Sequence, residues 1–189
     1  MYIVPDLEYE QKYIDWATKK YPNCEFIKTP HYCLGSFIQN GYLGIKQDKA
    51  HPKNLISKID CKIKKITGIE WSCYGFKKQD GITRRLMLGS YKNGLFLKTK
   101  KAYPLMDLTN KDVLNYIKDN NLITPFNYGT AKPSSGCDIS TIEFLLYIRE
   151  KYPNDLKKIF QQFPFTEINL FKHDNYENKT ERNNHHLTE

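Results

Sequence analysis

The feature that most constrains the fold is a short apolar run, residues 69–74, that stops at Gly75 and gives way to charged residues. A run of this kind closed by glycine is typical of a buried parallel strand with a loop leaving its carboxyl end. In open α/β sheets, ligands bind in the crevice outside those carboxyl ends. The sequence therefore predicts that the loop after residue 75 lines a binding site.

The predicted loop is rich in cations, and two adjacent arginines stand where the next helix is expected to begin. Its charged residues are Lys77, Lys78, Asp80, Arg84 and Arg85. Ammonium and guanidinium groups near a helix N-terminus suit a phosphate or sulfate group. The alternative interpretation of the same residues is a solvated charged turn without a ligand.

A chain of 189 residues with 40% hydrophobic residues is long enough for one globular domain with a core of its own. Its net charge of +8 favours anionic partners, among them nucleotides, sulfonucleotides and nucleic acids. The sequence has no secretory signal and no apolar run of about 18 residues. We therefore expect a cytoplasmic protein without a membrane partner.

The five cysteines are an odd count and contain no Cys-x-x-Cys pair. This pattern argues against a disulfide scaffold, a zinc ribbon and an iron–sulfur site. Several of them lie in apolar contexts, where we expect buried free thiols. No metal site is predicted.

Strand-like and helix-like segments alternate along the chain. Strands are expected at residues 1–4, 24–28 and 69–74, and residues 95–97 are either a further strand or an edge segment. The clearest helices are expected at residues 9–20 and 52–67. This alternation predicts an α/β fold, with a mostly parallel sheet and helices on both faces. We expect residues 1–172 to form one such domain and the polar residues 173–189 to form a mobile tail.

Helix starts are marked by three sequence signals. Pro52 is expected in the first turn of its helix. Thr109 with Asp112, and Ser140 with Glu143, have the spacing of capping boxes that open two later helices.

Three segments of the sequence, at residues 75–84, 103–117 and 125–137, resemble motifs of one family, the phosphoadenosine phosphosulfate (PAPS) reductases of the adenine nucleotide α-hydrolase-like (PP-loop) superfamily. Residues 75–84, Gly-Phe-Lys-Lys-Gln-Asp-Gly-Ile-Thr-Arg, resemble that family's Gly-(Val/Ile)-Arg-x-x-(Glu/Asp)-Ser-x-x-Arg element. Residues 103–117 resemble its Pro-Leu-x-x-Trp-Thr-x-x-Asp-Val-x-x-Tyr-Ile element. Residues 125–137, with Pro125, Tyr128 and Gly129 before Ser-Gly-Cys, resemble its Pro-Leu-Tyr…Gly-Cys stretch.

The resemblance implies a truncated Rossmann-like fold in which the chain begins at the family's second strand. Asp6 then stands where that strand ends in an aspartate, and the first strand with its Ser-Gly-Gly-x-Asp-Ser phosphate loop is missing. The implied ligand is an adenine nucleotide or PAPS. The implied nucleotide-binding residues are Asp6, Gly75, Lys77, Lys78, Asp80, Arg84, Arg85, Ser135 and Gly136.

The sequence also departs from the family pattern. Lys77 replaces an arginine and loses its bidentate fork, Gly81 replaces a serine, and Leu108 replaces a tryptophan. The C-terminal Glu-Cys-Gly-(Leu/Ile)-His segment, which carries the nucleophilic cysteine of true reductases, is missing. Cys137 is left as a weak catalytic candidate, and a structural role for it is the favoured alternative.

Three hypotheses follow from these observations. In the first, the chain is the larger part of a nucleotidyl-transfer or sulfur-transfer enzyme and is inactive alone. A separate polypeptide, or a segment upstream of these residues, would supply the first strand and the phosphate loop. That partner, or a second copy of the chain, would complete an open sheet edge beside residues 2–4, and Mg²⁺ would enter only with the loop. In the second, the chain is a nucleotide-binding or assembly module without catalysis. In the third, it is a basic nucleic-acid-associated protein.

Overall fold

The structure is a computed structural model that describes residues 1–126 and 138–177, with the side chains of the last two left aside. Over these ranges the chain forms eight α-helices and three very short strands. The helices are α1 (Glu8–Lys20), α2 (Leu34–Asn40), α3 (Ile56–Thr67), α4 (Ile82–Gly89), α5 (Asn110–Asp119), α6 (Ile142–Lys151), α7 (Pro153–Gln162) and α8 (Thr166–Lys172). The strands are β1 (Ser72–Cys73), β2 (Leu95–Phe96) and β3 (Lys101–Ala102).

The three strands form one mixed sheet in the order β1-β3-β2. β1 runs parallel to β3, with Ser72 opposite Lys101, and β2 runs antiparallel to β3, with Leu95 opposite Ala102. The fold is therefore α/β, as predicted. A mostly parallel sheet is not supported, since one of the two pairings is antiparallel.

The predicted strand at residues 69–74 is shorter and less buried than expected. Only Ser72 and Cys73 pair as a strand, and Ile69 and Trp71 are 62% and 42% exposed. The run is largely apolar but includes Glu70 and Ser72, and its apolar side chains Ile69 and Trp71 are exposed. The prediction of a buried strand at this place is therefore wrong, although its parallel pairing is correct.

The two predicted N-terminal strands, at residues 1–4 and 24–28, do not form. Their only sheet-like contact in the described residues is one parallel bridge between Tyr2 and Pro30. The backbone N–H of Tyr2 donates to the Thr29 carbonyl at 3.0 Å, and the N–H of His31 donates to the Tyr2 carbonyl at 2.7 Å. Two hydrogen bonds join the segments without extending into a ladder.

The helix predictions are mostly confirmed, with two corrections. Residues 52–55 precede α3 in a non-helical conformation, so Pro52 does not lie in the first turn. Thr109 and Asp112 form the predicted capping box of α5. Ser140 and Glu143 do not form one, because the Ser140 hydroxyl donates to Asp138 at 2.8 Å and α6 begins after Thr141.

The chain divides into two compact units. Unit 1 comprises residues 1–54 and 125–189, and unit 2 comprises residues 55–124. The prediction of a single domain over residues 1–172 stays a prediction. Residues His173–Glu177 form a π-helical turn, and the rest of the predicted tail lies outside the described residues.

Unit 1 has the larger core. Its buried residues come from the N-terminal segment and from α1, α2, α6, α7 and α8. They are Val4, Leu7, Tyr9, Leu34, Ile139, Phe144, Leu145, Ile148, Leu156, Ile159, Phe163 and Leu170. Tyr9 lies at the centre, where its ring makes edge-to-face contacts with Phe144, Tyr147 and Tyr152 at centroid distances of 5.5, 6.0 and 5.7 Å.

A buried carboxylate joins α1 to α7. Asp155 has no solvent exposure, and its two oxygens accept hydrogen bonds from the backbone N–H groups of Glu8 at 2.9 Å and Tyr9 at 2.8 Å. The first N–H groups of a helix have no partner within it, and a negative charge there is favourable. Asp155 thus caps α1 from a distant part of the sequence, since α1 has no side-chain cap from its own preceding residue.

We predict that Asp155→Ala lowers the free energy of unfolding by about 1–3 kcal/mol, because it leaves two buried backbone donors without an acceptor. Urea denaturation measures the change. The control is Asp15→Ala, which removes an exposed carboxylate from the same helix and is expected to change stability by less than about 0.5 kcal/mol. Equal effects of the two substitutions would contradict the capping role of Asp155.

Candidate anion-binding site

The candidate site lies in unit 2, at the carboxyl ends of the two parallel strands. Residues 74–80 leave β1 and residues 103–107 leave β3, so both segments emerge at the same edge of the sheet. The N–H of Lys78 donates to the Met106 carbonyl at 2.9 Å, and the Lys78 ammonium pairs with Asp107 at 2.5 Å. The Gln79 side chain accepts a hydrogen bond from the N–H of Asn110 at 2.9 Å, at the start of α5.

These contacts bring together two segments that the sequence resemblance treats separately. Residues 75–84 and residues 103–117 are about 30 positions apart, yet backbone and side-chain hydrogen bonds join them directly. The third segment, residues 125–137, begins in unit 1 and runs into residues that the structure does not describe.

Asp80 neutralises one of the predicted ligand-binding cations. Its carboxylate pairs with the Lys77 ammonium at 2.8 Å and accepts a hydrogen bond from the Lys77 backbone N–H at 2.7 Å. Partial burial opposes the ionised form, but the hydrogen bonds from Lys77 outweigh it and hold the pKa of Asp80 below its usual value. The loop is thus closed by an internal ion pair at neutral pH.

Gly81 makes the connection from this loop to α4. Its φ of 145° and ψ of 170° lie in a region that only glycine adopts without strain. The N–H of Arg85 donates to the Gly81 carbonyl at 2.9 Å and begins the helix, which has no side-chain N-cap. The first backbone N–H groups of α4 are therefore not satisfied by a cap, as is typical where an anion can bind.

The two arginines differ in their surroundings. The guanidinium carbon of Arg84 lies 3.7 Å from the centre of the Phe76 ring, a cation–π contact that fixes the side chain over the loop. Arg85 is exposed. Neither arginine forms an ion pair with any residue that the structure describes. Arg84 is nevertheless near enough to Asp80 to contribute, after Lys77, to the lowered pKa of that carboxyl.

Four aromatic rings pack against one another beside the loop. Phe76 stacks against Tyr74 and Tyr103 at centroid distances of 5.5 and 6.2 Å, and Tyr103 continues to Tyr91 at 5.5 Å. Tyr103 is buried, and Leu88 of α4 is fully buried. Because these rings pack on one another, the position of the Arg84 guanidinium depends on the aromatic core of unit 2.

Tyr74 is linked to Asp60 of α3, a residue that the sequence analysis did not identify. Burial, followed by the nearby Asp60 carboxylate, raises the pKa of Tyr74 to about 12. The same carboxylate accepts a hydrogen bond from the Ser72 hydroxyl and lies 3.5 Å from the Lys64 ammonium. The sequence does contain a signal that could have identified Asp60, because it is the one acidic residue in the lysine-rich helix α3.

The remaining predicted site residues do not join this arrangement in what the structure describes. Asp6 belongs to unit 1, where its side chain is 81% exposed and lies 3.6 Å from the Lys28 ammonium. Gly75 has an ordinary φ, and a Cβ there would make a normal contact with Leu105 at 3.8 Å. Ser135, Gly136 and Cys137 lie outside the described residues.

The expectation of buried thiols is wrong for most of the described cysteines. Cys24, Cys61 and Cys73 are exposed, and Cys33 is half-buried; all four are free thiols. Within the described ranges, no three His, Cys, Asp or Glu side chains come together as ligands for a metal ion. In those ranges no helix is both long enough and apolar enough to span a bilayer.

Comparison of the chain with protein-family models, with curated proteins and with solved structures finds no match.

We predict that Gly81→Ala lowers the free energy of unfolding by about 1–3 kcal/mol, since alanine at a φ of 145° is strained. The matched control is Gly89→Ala at the other end of α4. Neither glycine has an atom within 4 Å of where a Cβ would lie, and only Gly81 has a positive φ. In denaturant unfolding, Gly89→Ala should be neutral or stabilising by up to about 1 kcal/mol. Similar values for the two variants would contradict the assigned conformation of Gly81.

We also predict an alkaline loss of stability that depends on Tyr74. An unfolded tyrosine ionises near pH 10, so between pH 10 and about 12 the folded chain keeps a proton that the unfolded chain loses. The contribution of Tyr74 to the free energy of unfolding is therefore present below pH 10 and lost as the pH rises through 12. Urea denaturation of the wild type and Tyr74→Phe across this window measures it. Parallel pH profiles of the two proteins would contradict the prediction.

Proposed function

We propose that the loop joining β1 to α4 binds the phosphate or sulfate group of an adenine-type nucleotide such as PAPS, in a PAPS reductase-like domain. The observation that supports this proposal most is the junction at Lys78, where the two resembling segments meet at the carboxyl edge of the parallel strand pair. That edge is where α/β proteins bind ligands.

The charges of the loop indicate which side chains bind the anion. Lys77 and Lys78 are paired with Asp80 and Asp107, so they serve mainly to hold the loop in shape. Arg84 and Arg85 lie in the first turns of α4, which has no side-chain cap, and form no ion pair in the described residues. We therefore assign the phosphate or sulfate to the two arginines and the first backbone N–H groups of α4.

The finer parts of the proposal rest on the sequence resemblance. The truncated Rossmann-like fold, the sulfonucleotide ligand and a cytoplasmic location all come from it or from composition. The sequence contains no Ser-Gly-Gly-x-Asp-Ser motif to cradle a pyrophosphate. Turnover would therefore require a phosphate loop from another chain or from a segment preceding these residues, with Mg²⁺ as its metal, and we propose nucleotide binding without catalysis for residues 1–189 alone.

A free sheet edge offers a place for such a partner chain. β1 is an outer strand of the three-stranded sheet, paired with β3 on one side only in the described residues. An unpaired strand edge can accept a strand from another protein. This edge differs from the one expected beside residues 2–4, which form no strand.

We predict that Arg84→Ala/Arg85→Ala weakens PAPS binding by about tenfold or more, because each hydrogen bond to a charged group contributes about 1.5–3 kcal/mol. Isothermal titration calorimetry with PAPS measures the dissociation constant. The matched control is Lys111→Ala/Lys118→Ala, which removes two charges from exposed positions of α5 in the same unit. We expect less than a twofold change for the control.

Two outcomes would count against the proposal. Unchanged PAPS affinity in the arginine variant would show that the loop is not the binding site. Equal losses in the arginine variant and the α5 control would show that only net charge matters. Retention of the wild-type circular dichroism spectrum confirms that each variant is folded.

A further inference from the structure

A second group of cations lies at the amino ends of the parallel strands β1 and β3. A cavity of about 370 Å³ is lined by Lys64, Lys65, Ile69, Glu70, Lys98, Thr99 and Lys100. These residues come from the last turn of α3, the segment before β1 and the 3-10 turn before β3. The cavity is therefore at the amino ends of β1 and β3, whereas the candidate nucleotide site is at their carboxyl ends.

Two of the four lysines have internal partners. The Lys64 ammonium donates to the Thr99 carbonyl at 3.0 Å and pairs with Asp60 at 3.5 Å, which ties α3 to the turn. Lys100 pairs with Glu70. The hydrogen bond from Lys100 lowers the pKa of Glu70 below its usual value, so this pair stays ionised at neutral pH and leaves little net charge.

The other two lysines have no such partner. Neither Lys65 nor Lys98 forms an ion pair or side-chain hydrogen bond with any residue that the structure describes. The lining carries four ammonium groups against one carboxylate, and two of the ammonium groups are unmatched. A cavity with this excess of positive charge favours an anion with more than one negative charge.

The backbone at the cavity is held in an unusual conformation. Lys100 has a φ of 51° and a ψ of 58°, a left-handed conformation that is uncommon for residues other than glycine. Strained backbone of this kind occurs frequently at ligand sites. Here it forms the corner between the turn and β3, and Lys98 lies on one side of that corner.

The chemistry of the lining indicates the class of ligand. Lysines bind phosphate oxygens as point charges, without the planar fork with which arginine binds one carboxylate or one phosphate. Separated lysines therefore suit an anion whose charge is spread over several groups. The volume lies within the range of small-ligand sites, near its lower end. We propose that this cavity binds consecutive phosphate groups, as found in a linear polyphosphate or in the backbone of a single-stranded nucleic acid, through Lys65 and Lys98.

The test uses the full chain and two probes. Calorimetry with inorganic tripolyphosphate and fluorescence anisotropy with a short, labelled single-stranded oligonucleotide of mixed sequence measure the affinities. We expect Lys65→Ala/Lys98→Ala to weaken binding of at least one probe by about tenfold. For the oligonucleotide, the slope of log K against log salt should become shallower by roughly 1.4, about 0.7 for each lost phosphate contact.

Three further variants make the result specific. Lys62→Ala/Lys92→Ala removes two exposed lysines of the same unit that do not line the cavity, and should change the affinity less than twofold. Lys65→Arg/Lys98→Arg keeps the charge and should retain binding. Because the arginine loop is itself proposed to bind phosphate, Arg84→Ala/Arg85→Ala serves as a background. Adding Lys65→Ala/Lys98→Ala to it should still weaken probe binding by about tenfold, which separates this cavity from the nucleotide site.

The two probes distinguish the source of the phosphates. Loss of tripolyphosphate binding in the cavity variant supports a free polyphosphate, and loss of oligonucleotide binding alone supports a nucleic acid backbone. The proposal is overturned if neither probe binds the wild type, or if the cavity and control variants weaken binding equally. It is also overturned if the arginine variant abolishes binding and the cavity variant does not.

Discussion

The parallel pairing of β1 with β3 is the constraint on which the functional interpretation depends. The N–H of Ser72 donates to the Lys100 carbonyl at 3.0 Å, and the N–H of Tyr74 donates to the Ala102 carbonyl at 2.9 Å. Because the two strands run in the same direction, both carboxyl ends lie at one end of the pair and both amino ends lie at the other. The arginine loop lies at the first end and the lysine cavity at the second. Since each strand has only two residues, contacts beyond the sheet must keep this register.

Those contacts are polar at the carboxyl edge and aromatic beneath it. Lys78 binds both the carbonyl of Met106 and the carboxylate of Asp107, so it fixes the distance between the segments that follow β1 and β3. Phe76 and Tyr103 pack below, and Arg84 lies over Phe76. Of the four cations of the loop, Lys77 and Lys78 are therefore held in ion pairs, and Arg84 and Arg85 form none in the described residues. Composition alone does not reveal that division, because it depends on which carboxylates are close in space.

Several of the helices could be predicted from the sequence, and the strand predictions that proved wrong failed for a physical reason. The α-helices α1 and α5 followed from apolar periodicity and from the Thr109 capping box, which are local signals. The strands at residues 1–4 and 24–28 did not form, because strand pairing depends on distant partners that propensity does not report. The cap that Asp155 provides to α1 joins residues almost 150 positions apart. The pattern of residues in a single sequence does not predict a contact between positions so far apart.

We propose that an adenine-type nucleotide binds where residues 75–85 and residues 103–112 meet. Chemical-shift mapping by ¹H–¹⁵N NMR during titration with PAPS can locate the binding site, because every backbone N–H reports separately. We expect the largest shifts on the amides of Ile82, Thr83, Arg84 and Arg85, with smaller shifts near Lys78 and Met106. Absence of shifts in both segments, with the largest shifts elsewhere in the chain, would contradict it.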